Sequence, residues 1–153
     1  MTHVYPKVYI GIDPGKQGAI ATLAPSGGVI RIDKMPEDVK SLIDLFILLS
    51  GLGEQQSGML ERVWSQPGMG HSGAFTYGRG YGRLETSLAS ACISYEEVLP
   101  SKWQLAMNCR TKGDKHITRT VATRLFPYEK VTLVNSDALL IAEYCRRLKQ
   151  GLL

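Results

Sequence analysis

The chain has 153 residues, of which 44% are hydrophobic and 21% are charged, a composition typical of one globular domain with a single core. No stretch reaches the roughly 18 apolar residues of a membrane-spanning helix. The N-terminal segment has neither the regions of a signal peptide nor the length of a transit peptide. We therefore predict an intracellular protein with a single domain over residues 1–153 and no membrane partner. The formal net charge of +4 allows a polyanionic partner.

The first half of the chain predicts three strands and a helix. Alternating or continuous apolar runs favour strands over 8–13, 19–23 and 29–35, joined by short turns as an antiparallel meander. Residues 35–49 predict a helix, with Pro36 in its first turn and Gly51 at its end.

The second half predicts an alternation of strands and helices. Its elements are a strand over 59–64, a glycine-rich loop over 66–73, a helix over 74–91, a strand over 94–100, a helix over 101–108, a basic helix over 111–127 and a last helix capped by Asn135 or Ser136. Crossover helices between strands indicate parallel pairing, so the fold class is a mixed α/β sheet flanked by helices. Gly78, Gly80 and Gly82 weaken the helix that contains them and suggest a close approach by another backbone or a partner.

Three carboxylates stand where this topology would bring them together. Asp13 ends the first strand, Glu61 lies in a strand expected to run parallel to it, and Asp137 lies in the first turn of the last helix. Such a cluster would be repulsive unless a cation neutralised it, and oxygen ligands of this kind select Mg²⁺ or Mn²⁺. Each acid also has a structural explanation: turn chemistry for Asp13, an exposed strand edge for Glu61 and the helix dipole for Asp137.

The cysteines and basic residues indicate which kinds of ligand the protein could bind. Three widely spaced cysteines without a CxxC pair indicate reduced thiols rather than a zinc site. Positive charge is concentrated in residues 102–130, which can be either a solvated helix face or a groove for nucleic-acid phosphates. The basic residues of this segment are Lys102, Arg110, Lys112, Lys115, Arg119, Arg124 and Lys130.

An ordered set of motifs resembles the RuvC family of Holliday junction resolvases, closest to its phage and chloroplast branch. The motifs are GIDPGKQGAIA, LERV, AFTYGRGYGRLE, VLPSKWQ, TKGDKHITRTVATRLFP and SDALLIAEY, within residues 7–147. The resemblance implies an RNase H-like mixed five-stranded sheet, a homodimer, and Mg²⁺-dependent symmetric nicking of four-way DNA junctions. It also implies a location in the cytoplasm or nucleoid of a bacterium or phage-infected host.

The resemblance also assigns roles to individual residues. Asp13, Glu61 and Asp137 match the family's catalytic acids and metal ligands. Lys115 matches a basic residue near the scissile phosphate, although it could be a surface lysine. The family usually has a further acid or histidine three or four residues before the last acid, where this chain has Leu133 and Val134. This departure leaves open a second function, a branched-DNA-binding protein that cuts poorly or not at all.

The DNA-binding surface predicted from these motifs has two parts. Lys102, Lys112 and Arg119 would hold backbone phosphates without reading sequence. Aromatic and basic side chains between residues 66 and 83 would stack on unpaired bases at the junction centre, or Phe75 and Tyr81 would fill the core. The residues of this second part are Phe75, Tyr77, Arg79 and Arg83.

Trp64 and Trp103 follow apolar patterns that predict packing roles. The helix after Gly73 is the candidate dimer interface, because two symmetric cuts need two sites related by a two-fold axis. GIDPG followed by GAIA is also similar to the phosphate loop of actin-like ATPases, which need roughly twice this chain length.

Overall fold

The computed structural model describes residues 4–153, which form one five-stranded sheet with five helices. The strands are β1 (Tyr5–Asp13), β2 (Ala19–Leu23), β3 (Val29–Lys34), β4 (Gly53–Glu61) and β5 (Tyr95–Val98), in the spatial order β3-β2-β1-β4-β5. The helices are α1 (Val39–Ser50), α2 (His71–Ser90), α3 (Pro100–Ala106), α4 (Lys115–Leu125) and α5 (Ser136–Gln150).

Pairing in the sheet is mixed, as the sequence predicts. The chain runs antiparallel through β1, β2 and β3, and β4 then lies parallel to β1 with β5 parallel to β4. Ile12 pairs with Leu60 in the parallel register. Asp13 and Glu61, the next residue of each strand, therefore emerge at the same edge of the sheet.

Apolar residues on the two faces of the sheet form two separate clusters, because successive strand residues point to opposite sides. Ile10, Ile12 and Leu60 pack on the α1 and α2 side. Tyr9 and Met59 pack on the side of α5, whose first ten residues are all buried.

Helix α5 lies directly on the backbone of β1 at Gly11. A Cβ atom at this glycine would stand 2.2 Å from the nitrogen of Ala142 and 2.3 Å from the carbonyl oxygen of Ala138. Only a residue without a side chain permits this contact. The close approach brings the N-terminus of α5 to the sheet edge at which β1 and β4 end.

Two predicted boundaries in the first half of the chain are wrong. Helix α1 begins at Val39 rather than at residue 35, because the Asp38 carboxylate accepts hydrogen bonds from the Ser41 amide at 2.9 Å and the Ser41 hydroxyl at 2.6 Å. Pro36 therefore precedes the helix. Strand β4 begins at Gly53, well before the predicted residue 59, because its first half is polar and does not show an apolar alternation.

Boundaries in the second half also differ from the predictions. Helix α2 begins at His71, three residues before the predicted start. Helix α4 begins at Lys115, where Asp114 caps it by accepting a hydrogen bond from the His116 amide at 2.9 Å. Residues 111–114 form a turn instead of a helix, with Lys112 at a φ of 46°.

The C-terminal part of α5 is hydrogen-bonded to the β2–β3 turn. Glu143 is 5% exposed and accepts hydrogen bonds from Arg146 and Arg147 at 2.7–2.8 Å. Arg146 also donates to the carbonyl oxygen of Pro25 at 3.2 Å. These bonds keep the carboxylate paired and lower its pKa, although burial works in the opposite direction.

Among the helices of residues 4–153, none has the length and apolar character that a bilayer crossing requires.

Candidate active site and nucleic-acid interface

Asp13, Glu61 and Asp137 lie at one edge of the sheet, as the topology predicts. Asp13 is the last residue of β1, Glu61 is the last residue of β4, and Asp137 lies in the first turn of α5. Asp13 and Asp137 are only 6% and 7% exposed, and Glu61 is partly buried. Each acid is the end point of a different element, so the fold and not local sequence brings them together.

The electrostatics of the three acids show that they share one pocket. Burial, followed by the negative charges of Glu61 and Asp137, raises the pKa of Asp13 to about 8 against the opposing charge of Lys115. Burial, together with the charge of Asp137, raises the pKa of Glu61 to about 7, although a hydrogen bond from Trp103 and the charge of Lys115 work in the opposite direction. Without a cation, this pocket therefore favours protonated carboxyl groups near neutral pH.

Only one of the two carboxylate oxygens of Asp137 has a partner among residues 4–153. The ammonium group of Lys115 lies 3.4 Å from its Oδ2. Its Oδ1 is buried and has no hydrogen-bond partner within residues 4–153. A buried carboxylate oxygen without a partner is costly, and a bound cation would remove that cost.

The chemistry of the three acids fits a hard divalent cation, but their side chains are held apart. Within residues 4–153, no three carboxylate, imidazole or thiol groups stand close enough to hold a metal ion as they are placed. Glu61 is bonded to Trp103 and Asp137 to Lys115. A shared cation would require the carboxylate oxygens that are not engaged in these two contacts to come closer together.

The segment before α5 supplies no additional ligand. Leu133 is 37% exposed, and Val134 packs against the core. Asn135 stands at the helix N-terminus but does not cap it through its side chain. Its Oδ1 accepts from the Thr132 amide at 2.8 Å and its Nδ2 donates to the Lys130 carbonyl at 3.1 Å. The amide group of Asn135 is therefore committed to its own loop.

The aromatic residues of α2 differ in their exposure and in the groups that surround them. Tyr77 lies beside the acids, since burial and then the charges of Glu61 and Asp13 raise the pKa of its hydroxyl. Phe75 is 73% exposed, so the alternative of a core role for it is wrong. Tyr81 does pack against the core and donates its hydroxyl to Glu97.

A cleft of about 620 Å³ opens next to the acidic pocket. It lies between the β1–β2 turn, the residues before α1 and the first half of α2, and Pro14, Gly15, Tyr77 and Arg83 are among the residues that line it. Arg79, by contrast, is exposed on α2. The predicted aromatic and basic residues of α2 therefore divide between the cleft and the open surface.

The predicted phosphate-binding residues are all exposed and lie on or next to α3 and α4. Lys102 is in α3, Lys112 is in the turn before α4, and Arg119 is in α4. Arg119 also lines an open groove with His116 and Arg124. Arg124 belongs to the basic residues predicted for a possible phosphate groove. His116 was not predicted, although it lies on the same helix face.

The two tryptophans have different environments, and only that of Trp103 matches its pattern. Trp64 is 52% exposed, so its predicted packing role is wrong; β4 ends at Glu61 and the chain leaves the sheet before this residue. Trp103 is fully buried, as predicted. It also donates its indole N–H to Oε2 of Glu61 at 2.7 Å, a contact over 42 positions that no local pattern indicates.

Comparison with known proteins gives structural matches only. No family model and no curated protein sequence matches the chain. Thermus thermophilus RuvC in complex with a Holliday junction substrate is 14% identical with a TM-score of 0.70, covering 98% of both chains. Another structure of T. thermophilus RuvC is 15% identical with a TM-score of 0.67, covering 95% of this chain and 97% of the other.

A yeast mitochondrial Holliday junction resolvase is 14% identical to the chain. Its TM-score is 0.52, and the match covers 99% of this chain and 82% of the yeast chain. At such identities the likeness is one of fold. The chain therefore has the RNase H-like fold of RuvC, which confirms the fold predicted from its sequence motifs.

Proposed function

We propose that the chain is a metal-dependent endonuclease that resolves four-way DNA junctions by paired nicks. The observation that carries this proposal is the pocket that Asp13, Glu61 and Asp137 line beside Lys115. The fold shared with a RuvC bound to a Holliday junction substrate supports the same substrate class.

The acids are the proposed ligands of Mg²⁺, for which Mn²⁺ would substitute. A bound divalent ion would supply an activated water and stabilise the leaving oxygen of a phosphodiester. Lys115 lies at the pocket with its charge close to Asp137. Its role in this proposal is to stabilise negative charge on the phosphate as it is attacked.

A homodimer is the proposed active form, since two symmetric nicks require two pockets related by a two-fold axis. Gly78, Gly80 and Gly82 would each face open space if they carried a Cβ atom. The predicted close approach does not come from the described part of this chain. The open surface of α2 leaves room for the same helix of a second copy.

Cleavage of a synthetic four-way junction tests the proposed function. We expect the protein to produce symmetric nicks in Mg²⁺ or Mn²⁺ and to leave a linear duplex of the same sequence intact. Tight junction binding without nicks in either metal, at any pH between 6 and 9, would instead favour the branched-DNA-binding function. This second function is considered because Leu133 and Val134 stand where the RuvC family usually has a further acid or histidine.

The groove on α4 predicts a measurable salt dependence of binding. Arg119 and Arg124 are exposed on this groove, and each would neutralise about one phosphate. Replacing either with alanine should weaken junction binding for all sequences alike and lower the slope of log affinity against log salt by about 1.

Fluorescence anisotropy over a salt series would measure this slope. Lys40→Ala is the matched control, because Lys40 is an exposed cation of α1 that pairs with Asp44 at 2.6 Å. An unchanged slope in the Arg119 and Arg124 variants would remove α4 from the proposed DNA path.

A further inference from the structure

Trp103 contacts the acidic pocket from inside the core. Its side chain is fully buried in α3, and its indole N–H donates to Oε2 of Glu61 at 2.7 Å. We propose that Trp103 is a positioning residue that orients the Glu61 carboxylate towards a divalent cation. This inference rests on the proposed metal-binding role of Glu61.

The indole group is suited to this task because it is a donor only. Its N–H cannot accept a hydrogen bond, so the contact fixes Glu61 as the acceptor. One carboxylate oxygen of Glu61 accepts this bond. The other oxygen, Oε1, is left for a cation. An outer partner of this kind commonly holds a metal ligand in one orientation.

Trp103 is held in place by packing, and its indole in turn holds the side chain of Glu61. Trp103 lies in the core cluster with Met107 and Cys109, and its carbonyl accepts from the Met107 amide at 2.9 Å. Glu61 ends β4, where the backbone is secured by the Arg62 amide donating to the Val98 carbonyl at 2.8 Å. A glutamate side chain has several rotatable bonds, so the indole restricts a group that the backbone alone leaves free.

Removing the indole donor should weaken cation binding by about 10–100-fold, the usual effect of losing an outer-shell partner. Trp103→Phe removes the N–H and leaves part of the ring. A second variant replaces Trp103 with 3-benzothienylalanine, which keeps the two-ring shape and has sulfur in place of N–H. That variant is made in a Trp64→Phe background, because Trp64 is exposed and would otherwise also be replaced.

Mn²⁺ affinity of the DNA-free protein, measured by electron paramagnetic resonance, is the main readout because it does not depend on activity. The Mg²⁺ concentration that gives half-maximal nicking should rise by a similar factor in both Trp103 variants. Junction affinity in EDTA should stay unchanged. Trp64→Phe alone is the control and should match the parent protein in all three measurements.

Nuclear magnetic resonance gives a direct signature of the contact. With only two tryptophans in the chain, the indole ¹H–¹⁵N signal of Trp103 is readily assigned. It should shift when Mg²⁺, a diamagnetic ion, is added to the metal-free protein and when Glu61 is changed to glutamine. A purely structural role would leave Mn²⁺ affinity within about twofold of the parent for the benzothienyl variant, and that result overturns the inference.

The failure of the inference and the failure of the proposed function give different results. If the parent protein binds Mn²⁺ but nicks no junction, the proposed nuclease function fails while the affinity comparison still decides the role of Trp103. If the parent binds no Mn²⁺ at all, the inference is overturned. Weaker Mn²⁺ binding by the benzothienyl variant supports it.

Discussion

Replacing Asp13 with asparagine is expected to slow junction cleavage by more than about 100-fold while leaving junction binding unchanged. Asp13 is 6% exposed at the end of β1, and after the larger effect of burial the charges of both other carboxylates and of Lys115 act on its pKa. Asparagine keeps the shape and removes the charge that would hold a cation. Since loss of an outer partner of a metal ligand typically costs 10–100-fold, loss of a direct ligand should cost more.

Single-turnover cleavage of a labelled four-way junction in Mg²⁺ measures this effect, and a gel-shift titration in EDTA measures binding. Asp44→Asn is the control, because Asp44 is an exposed acid on α1 that pairs with Lys40. Nicking by Asp13→Asn at the parent rate would show that Asp13 is not a metal ligand.

The stability of the metal-free protein is expected to fall as the pH rises from about 4 to about 8. Folding raises the pKa of Asp13 from 3.8 to about 8 and that of Glu61 from 4.5 to about 7. Between these values the folded state binds more protons than the unfolded state, so the free energy of unfolding decreases with pH. Above about pH 8 both states are ionised and this contribution levels off.

Asp13→Asn should remove much of this dependence. We expect the variant to be more stable than the parent at pH 8 by on the order of 2–5 kcal/mol, with a smaller difference at pH 5. Glu143 has a lowered pKa and acts in the opposite sense, since its contribution is lost as the pH falls below the ordinary value of 4.5. The metal-free parent should therefore be most stable in mildly acidic solution.

Urea unfolding of EDTA-treated protein at pH 5 and pH 8 measures both effects. Asp44→Asn should stay within about 0.5 kcal/mol of the parent at both values, as expected for an exposed substitution. Equal stabilities of the parent and Asp13→Asn at pH 8 would contradict the buried, repulsive pocket. A stable Asp13→Asn protein would also show that its loss of cleavage does not come from unfolding.

The sheet and the shared position of the three acids can be predicted from the sequence, because both depend on patterns within short stretches of the chain. Apolar residues lead into Asp13 and Glu61 and mark two neighbouring strands. Asn135 and Ser136, the predicted caps before Asp137, mark the start of α5. Strand order then follows from the crossover rule, and the shared edge follows from the parallel pairing.

Other features of the site depend on contacts between distant residues, which local patterns do not contain. The bond between Trp103 and Glu61 joins two elements that pack only in the folded state. The exposed position of Trp64 depends on where β4 ends, and the sequence marks that end weakly because apolar Val63 and Trp64 follow it. The partnerless Oδ1 of Asp137 is likewise a property of the assembled core.

The direct contact of α5 with β1 at Gly11 means that main-chain atoms set the spacing between the elements that carry Asp13 and Asp137. Apolar side chains elsewhere in the interior can then be exchanged for others of similar volume without widening or narrowing the gap between these two acids. Tolerance to substitution in the interior and strict geometry at the acids are thus compatible within the same small sheet, provided that position 11 stays glycine.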